Sequence, residues 1–264
     1  MARSSAVAVG GMVREWRQRR RLSQLDLALE AEISTRHLSF VETGRARPSR
    51  DMILRLAERL DIPLRERNVL LTAAGYASVF SERLLDDPAL QAPRRAVDLV
   101  LAGHEPFPAL AVNRHWCLIA QNKAVAPLLT GIDAALVTPP VNVLRLSLHP
   151  RGLAPRIANL PEWRAHLLAR LRRQIDVTAD PVLVDLIREL QAYPVPISRD
   201  RPPDPSQYAG VVVPIQLRTE VGTLSFFSTT TVFGTPVDIT LSEIALESFY
   251  PADAATAQAL RAAR

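Results

Sequence analysis

Thr35, Arg36, His37 and Ser39 are the side chains of this chain best suited to meeting a hydrogen-bonding edge. A guanidinium can make two hydrogen bonds to the O6 and N7 of a guanine, and small hydroxyls can reach base edges or phosphates. That chemistry requires the group to stand together on one exposed helix face that fits a major groove. Gln24, upstream, can donate to a phosphate, as can backbone N–H groups at a helix start. Arg45 and Arg47 follow in what reads as a loop, where they would meet the flanking phosphate backbone.

The stretch RLSQLDLALEAEISTRHLSFVETGRARPSR, residues 21–50, must position these groups, and it reads as two short helices and a tight turn. Ser23 can cap the first helix by accepting a backbone N–H that the helix leaves unpaired. Leu25, Ala28 and Leu29 recur at helical spacing and predict an inward stripe. Glu32 and Ile33 break the pattern, and Ser34 offers a second cap. Leu38 and Val41 then face the core, which turns Thr35, Arg36 and Ser39 outward. Gly44 ends this helix where a positive φ is wanted. The alternative is a plain four- or five-helix bundle whose arginines are merely solvated.

SQLDLALEAEISTRHLSFVETGRARPS resembles the helix-turn-helix of the Cro/repressor-like xenobiotic-response-element regulators. The shared pattern is Ser-Gln, a short helix, a Ser-initiated recognition helix with Leu-Ser, and an exit carried here by Glu42, Gly44, Pro48 and Ser49. The resemblance implies double-stranded DNA as partner, with Gln24, Ser34, Thr35, Arg36 and Ser39 as contacts. Glu42 is expected to pin the turn rather than touch DNA. The likeness covers about the first 75 residues.

A chain of 264 residues has room for two ordinary domains. The boundaries predicted are 1–75 for an all-α five-helix DNA-binding domain, 76–104 for a linker and connecting helix, and 105–264 for an α+β domain. No apolar run is long enough to span a bilayer, and the N-terminus lacks an apolar signal-peptide core, so the chain reads as cytoplasmic with no membrane partner. Cys117 is the single cysteine, which excludes an internal disulfide and a Cys-based zinc site. Residues 1–75 hold 14 arginines against 9 acidic residues, and the remainder is balanced at 18 against 18. The whole excess of five positive charges therefore lies on the helix-turn-helix part, where release of DNA counterions rewards it. The run Arg17, Arg19, Arg20 and Arg21 ends a first helix (about 9–20), so part of it suits the helix C-terminus rather than DNA.

Further helices are predicted over 50–60, 63–74 and 94–103. The second domain opens on a β-hairpin in which Leu110 and Val112, then Trp116, Leu118 and Ala120, alternate about a turn at Asn113-Arg114. A short helix is predicted from Asn122, then a middle region over 142–148 carrying Val143, Leu144 and Leu146, a turn over 149–152, and helices over 161–175 and 181–191. A Pro-rich loop, 193–208, precedes three strands, 210–218, 222–233 and about 237–248. A short helix closes the chain. Strands, helices and strands in that order make an antiparallel sheet with helices inserted in its middle, the arrangement of a PAS-like sensor.

The pieces LIAQNKA, NVLRLSLHPRG, EWRAHLLARLRR and GTLSFFSTTTVFGTPVDIT are similar to the ligand-binding domain of MmyB-like transcription regulators. That resemblance implies a PAS-like fold and a fatty-acid-like ligand. The chain departs from the family's pattern over 193–206, where prolines stand, so the ligand's identity is not carried over. The expected cavity lies between the sheet's concave face and the middle helices, with Trp116, Leu118, Leu146, Leu148, Leu224 and Phe226 as walls. For an acidic headgroup the candidate partners are Arg145, His149 and Arg170, because a carboxylate in a low-dielectric site needs a paired cation.

Enzymatic chemistry finds no footing. His104, His115, His149 and His166 are scattered over different elements, and no His pair one helical turn apart, Gly-x-Ser-x-Gly elbow, P-loop or dinucleotide fingerprint occurs. Neither a metal nor a cofactor is implied beyond an apolar ligand. Two function classes remain: a homodimeric DNA-binding regulator controlled by a small apolar ligand, and one whose C-terminal domain is a ligand-free dimerisation or protein-interaction module with a filled core. The interleaved Ser and Thr of 225–231 are expected on the solvent face of a strand.

Overall fold

The computed structural model describes residues 2–194, 213–234 and 238–262. Along the chain the helices are α1 (Ala2–Arg19), α2 (Gln24–Glu30), α3 (Thr35–Glu42), α4 (Arg50–Arg59), α5 (Leu64–Ala73) and α6 (Gln91–Gly103). Strands β1 (Ala109–Val112) and β2 (Leu118–Gln121) follow, then α7 (Ala134–Val137), α8 (Val143–Leu148), α9 (Leu160–Thr178) and α10 (Pro181–Ala192). The chain ends with β3 (Ile215–Thr219), β4 (Gly222–Val232), α11 (Ile239–Ser242), β5 (Ala245–Pro251) and α12 (Ala254–Ala262). Two compact units result: residues 1–83 with the short segments 176–178 and 236–242, and the remainder.

In the first unit, serines set the helix starts. Ser23, Ser34 and Ser49 each accept a backbone N–H from the residue three positions on, and Ser23 and Asp26 form a reciprocal capping box. Leu27, Leu38, Val41, Ile53, Leu56, Leu60, Leu70 and Leu71 are buried between the helices. The inward stripe predicted for α2 is corrected: Leu25 and Leu29 are 56% and 68% exposed, while Leu27, Ala28 and Ala31 are buried. Gly44 has φ 70° and ends α3 as expected. Gly10 allows α1 to lie close on α3, since a Cβ there would stand 2.1 Å from the Val41 carbonyl oxygen. The first helix begins earlier than the sequence predicts, at Ala2.

The second unit holds a five-stranded antiparallel sheet in the order β2-β1-β5-β4-β3. The predicted five-helix region followed by an α+β domain with an antiparallel sheet is therefore what forms. The period-two alternation of β4 turns Leu224 and Phe226 to one face, where they join Leu144, Trp163, Leu167, Leu171, Leu183 and Leu190 in one apolar core. Two expectations need correction. Asn122 starts no helix: it is buried, donates to the carbonyls of Leu101 (3.1 Å) and Phe107 (2.8 Å), and accepts the Ala109 N–H (3.1 Å). The helical turn after it is a 3-10 segment, Ala126–Leu129. The last strand starts later than predicted, because the Asp238 carboxylate accepts the Thr240 N–H and starts one helical turn, α11, before β5. Most of the Pro-rich stretch (195–208), the start of the first of the three late strands (210–212) and the turn at 235–236 lie outside the described residues.

Candidate functional site

The DNA-facing candidate is built on α3. Ser34 caps it with its hydroxyl, accepting the His37 N–H at 3.1 Å. Leu38 and Val41 have no exposure, so the helix is anchored by one side only. Arg36 is exposed, lies 5.4 Å from the Phe40 ring and has no ion pair among the described residues. Thr35 and Ser39 are half-buried beside it. The predicted contacts Ser34, Thr35, Arg36 and Ser39 thus occupy the first turns of one helix.

Glu42 organises the far end of that helix. Its carboxylate is buried and accepts Arg17 Nε at 2.7 Å, Arg17 Nη2 at 2.9 Å and Gln24 Nε2 at 2.7 Å. Burial pushes the carboxyl pKa up, but the bonds from Arg17 and Gln24, and the charges of Arg17 and Arg14, outweigh it and leave it below the usual value. Arg17 also donates to the Leu22 carbonyl, so this member of the arginine run is a tie across helices rather than a surface cation. Gln24 spends an amide N–H on Glu42, which fixes where the rest of its side chain points. Arg45 is exposed with no ion pair among the described residues, whereas Arg47 donates to the Ala74 carbonyl at 2.8 Å and lies 5.6 Å from the Tyr76 ring. Sequence reading had no signal for the Arg17–Glu42 pair, whose members are 25 residues apart.

The second unit contains a cavity of about 120 Å³ between the inner sheet face and helices α8 and α9. Trp116, Leu118, Leu146, Arg170 and Phe226 line it, together with Leu110, Trp163, Leu167, Ile215 and Phe249, which the sequence did not single out as walls. Leu224 and Leu148 do not: both are buried in the surrounding core. Two of the three candidate headgroup partners are also elsewhere. Arg145 is held by the Glu189 carboxylate at 2.7–3.0 Å, and Tyr193 donates to the same carboxylate at 2.5 Å. Burial first, then the bond to Glu189, raises the Tyr193 hydroxyl above its ordinary pKa. His149 caps the end of α8, accepts the Arg151 N–H at 3.0 Å and packs edge-on to the Tyr193 ring. Only Arg170 reaches the cavity, and it arrives paired with Glu247. The Ser/Thr run of 225–231 is likewise split: Ser225 is buried, Ser228 lines the cavity, and Thr229–Thr231 are exposed.

Among the described residues, no cluster of His, Cys, Asp and Glu could hold a metal, and no helix is long and apolar enough to cross a membrane.

Residues 13–67 match the helix-turn-helix family, and residues 93–263 match the family described as "MmyB-like transcription regulator ligand binding domain". Both are regulator families, not enzyme families. No curated protein matches. Among solved structures, the clp gene regulator ClgR from Corynebacterium glutamicum is similar at 22% identity over 40% of this chain and 96% of that one. The TM-score of that match is 0.24. The second match alone spans more than half of the chain, and it falls on the unit that holds the cavity. With a helix-turn-helix before it, the chain belongs to the MmyB-like transcription regulators, DNA-binding proteins with a ligand-binding domain.

Proposed function

We propose that α3 enters the major groove with Arg36 reading a base edge, and that a small apolar molecule in the cavity changes operator affinity. The roles of Ser34, Thr35 and Ser39 are contacts to bases or phosphates, that of Gln24 a phosphate contact, and those of Arg45 and Arg47 contacts to the flanking backbone. The observation that carries the reading is an apolar cavity inside the domain whose family is defined by ligand binding. A homodimer is proposed with it, because a single helix-turn-helix buries little surface and two half-sites multiply affinity and selectivity. A second reading is a ligand-free dimerisation or protein-interaction module, in which the Arg170–Glu247 pair that already balances the cavity's charged corner is purely structural.

The test is an operator selected from random DNA, followed by titration with a panel of apolar compounds. A true effector should shift both melting and operator affinity, the latter by about 1–3 kcal/mol, the usual span of coupling between two sites. If no compound moves either quantity, ligand control is wrong and the second reading stands. A monomer by light scattering, free and on the operator, would remove the dimer.

A further inference from the structure

The cavity is almost wholly apolar, and its charged corner is already balanced. Arg170 Nη1 donates to Glu247 Oε2 at 2.9 Å, and Nη2 donates to Glu247 Oε1 and to Thr230 Oγ1. Thr230 in turn donates to Glu247 at 3.0 Å. The guanidinium lies 4.6 Å from the Trp116 ring, and Trp116 is itself fixed by its Nε1–H donating to Gln174 at 2.7 Å. Glu247 is buried and lines the cavity beside its partner. A free carboxylate placed here would meet a second carboxylate already using the same guanidinium, in a setting where like charges disfavour one another strongly.

Two hydroxyls point to a different kind of recognition. Ser147 Oγ accepts the Trp163 Nε1–H at 2.9 Å, and its own proton has no acceptor among the described residues. Ser228 also lines the cavity; its backbone belongs to the β4–β5 ladder, but its hydroxyl makes no hydrogen bond among the described residues. A hydroxyl donor turned toward an apolar space favours an occupant that brings an acceptor. We infer that the cavity takes an uncharged apolar molecule with a hydrogen-bond acceptor, such as an ester or a ketone, and discriminates against the corresponding free acid. This rests on the ligand reading proposed above.

Three probes of similar length separate charge from acceptor: methyl octanoate, octanoic acid and nonane, each titrated against the full chain at neutral pH by melting and calorimetry. Methyl octanoate is expected to bind at least about tenfold more tightly than octanoate, because the acid must displace or protonate part of an existing pair. Nonane should bind more weakly than the ester, and Ser147→Ala with Ser228→Ala should erase that difference. Glu247→Gln releases the cation and should turn the preference toward octanoate by about tenfold. Should that variant fold poorly, the wild-type comparison decides the matter by itself. A wild type that prefers octanoate overturns this inference and leaves ligand control intact. Binding of none of the three overturns ligand control and this inference with it.

Discussion

Arg36 stands exposed on α3 beside the Phe40 ring, with no ion pair among the described residues, whereas Arg170 in the cavity is locked onto Glu247 and Thr230. The difference follows from solvent. A surface guanidinium is hydrated until a phosphate or base replaces the water, so leaving it without a partner in the free protein has little energetic consequence. A guanidinium turned into an apolar cavity has no such reserve and must bring its counter-charge with it. Cations available to a ligand are thus those left outside, and those buried report on architecture. Arg17 makes the same point within the first unit, since it is buried and its partner is Glu42.

The largest test of that distinction is Glu42→Ala, which strands Arg17 and should destabilise the first unit by about 3–5 kcal/mol in urea unfolding. A loss under about 1 kcal/mol, the range of an exposed pair, would break the comparison. Acid should act in the same direction. The Glu42 carboxyl titrates lower folded than unfolded, so its contribution is complete above the ordinary value of about 4.3 and fades as pH falls through the lower folded one.

Arg36→Ala comes next, with an expected loss of about 1–3 kcal/mol on the selected operator and a flattened preference at one base position. Its stability should stay within about 0.5 kcal/mol of wild type, as for a surface position. Tight operator binding by this variant would remove α3 as the reading helix. Arg45→Ala should weaken all sequences alike and lower the salt slope by about one, with no change in unfolding. Arg47→Ala sharpens the contrast, because it also gives up the bond to the Ala74 carbonyl and should lose about 1 kcal/mol of stability.

The smallest effect belongs to His166, which stacks on Trp163 in the second unit. Burial, then the charges of Arg170 and Arg173, hold its pKa below the ordinary histidine value. The unfolded chain therefore takes up a proton first, and stability should decline as pH drops below about 6.5, levelling off below the folded value. His166→Gln should flatten this part of the pH profile in thermal melts, and an unchanged profile would mean that other groups set it.

Local signals were the legible ones. The capping serines, Gly44, and Leu38 with Val41 each act within a few residues, so α3 could be read with its orientation. The stripe on α2 failed because 25/29 and 27/31 are equally good i, i+4 pairs, and the larger side chains of Leu25 and Leu29 drew the choice. What decides is packing: small Ala28 and Ala31 let the helix sit close to its neighbours. The sheet's strand content was visible from alternation, but its last strand was drawn too long because a capping aspartate inside an apolar run leaves little trace. The cavity was legible as a place and not as a chemistry. Arg170 and Glu247 are 77 residues apart, and Arg145 and Glu189 are 44 apart, so no sequence rule joins them. Choosing among Arg145, His149 and Arg170 required the tertiary fold.

The three tryptophans divide unevenly: Trp116 and Trp163 line the cavity, and Trp16 is buried in α1. Indole emission shifts with the polarity of its surroundings, and two of the three emitters here face the space an occupant would fill. With Trp16→Phe, every photon from tryptophan would originate at the cavity wall. Filling of the cavity, as proposed above, would then carry its own optical readout, one that needs no attached dye and can be followed on the timescale of mixing.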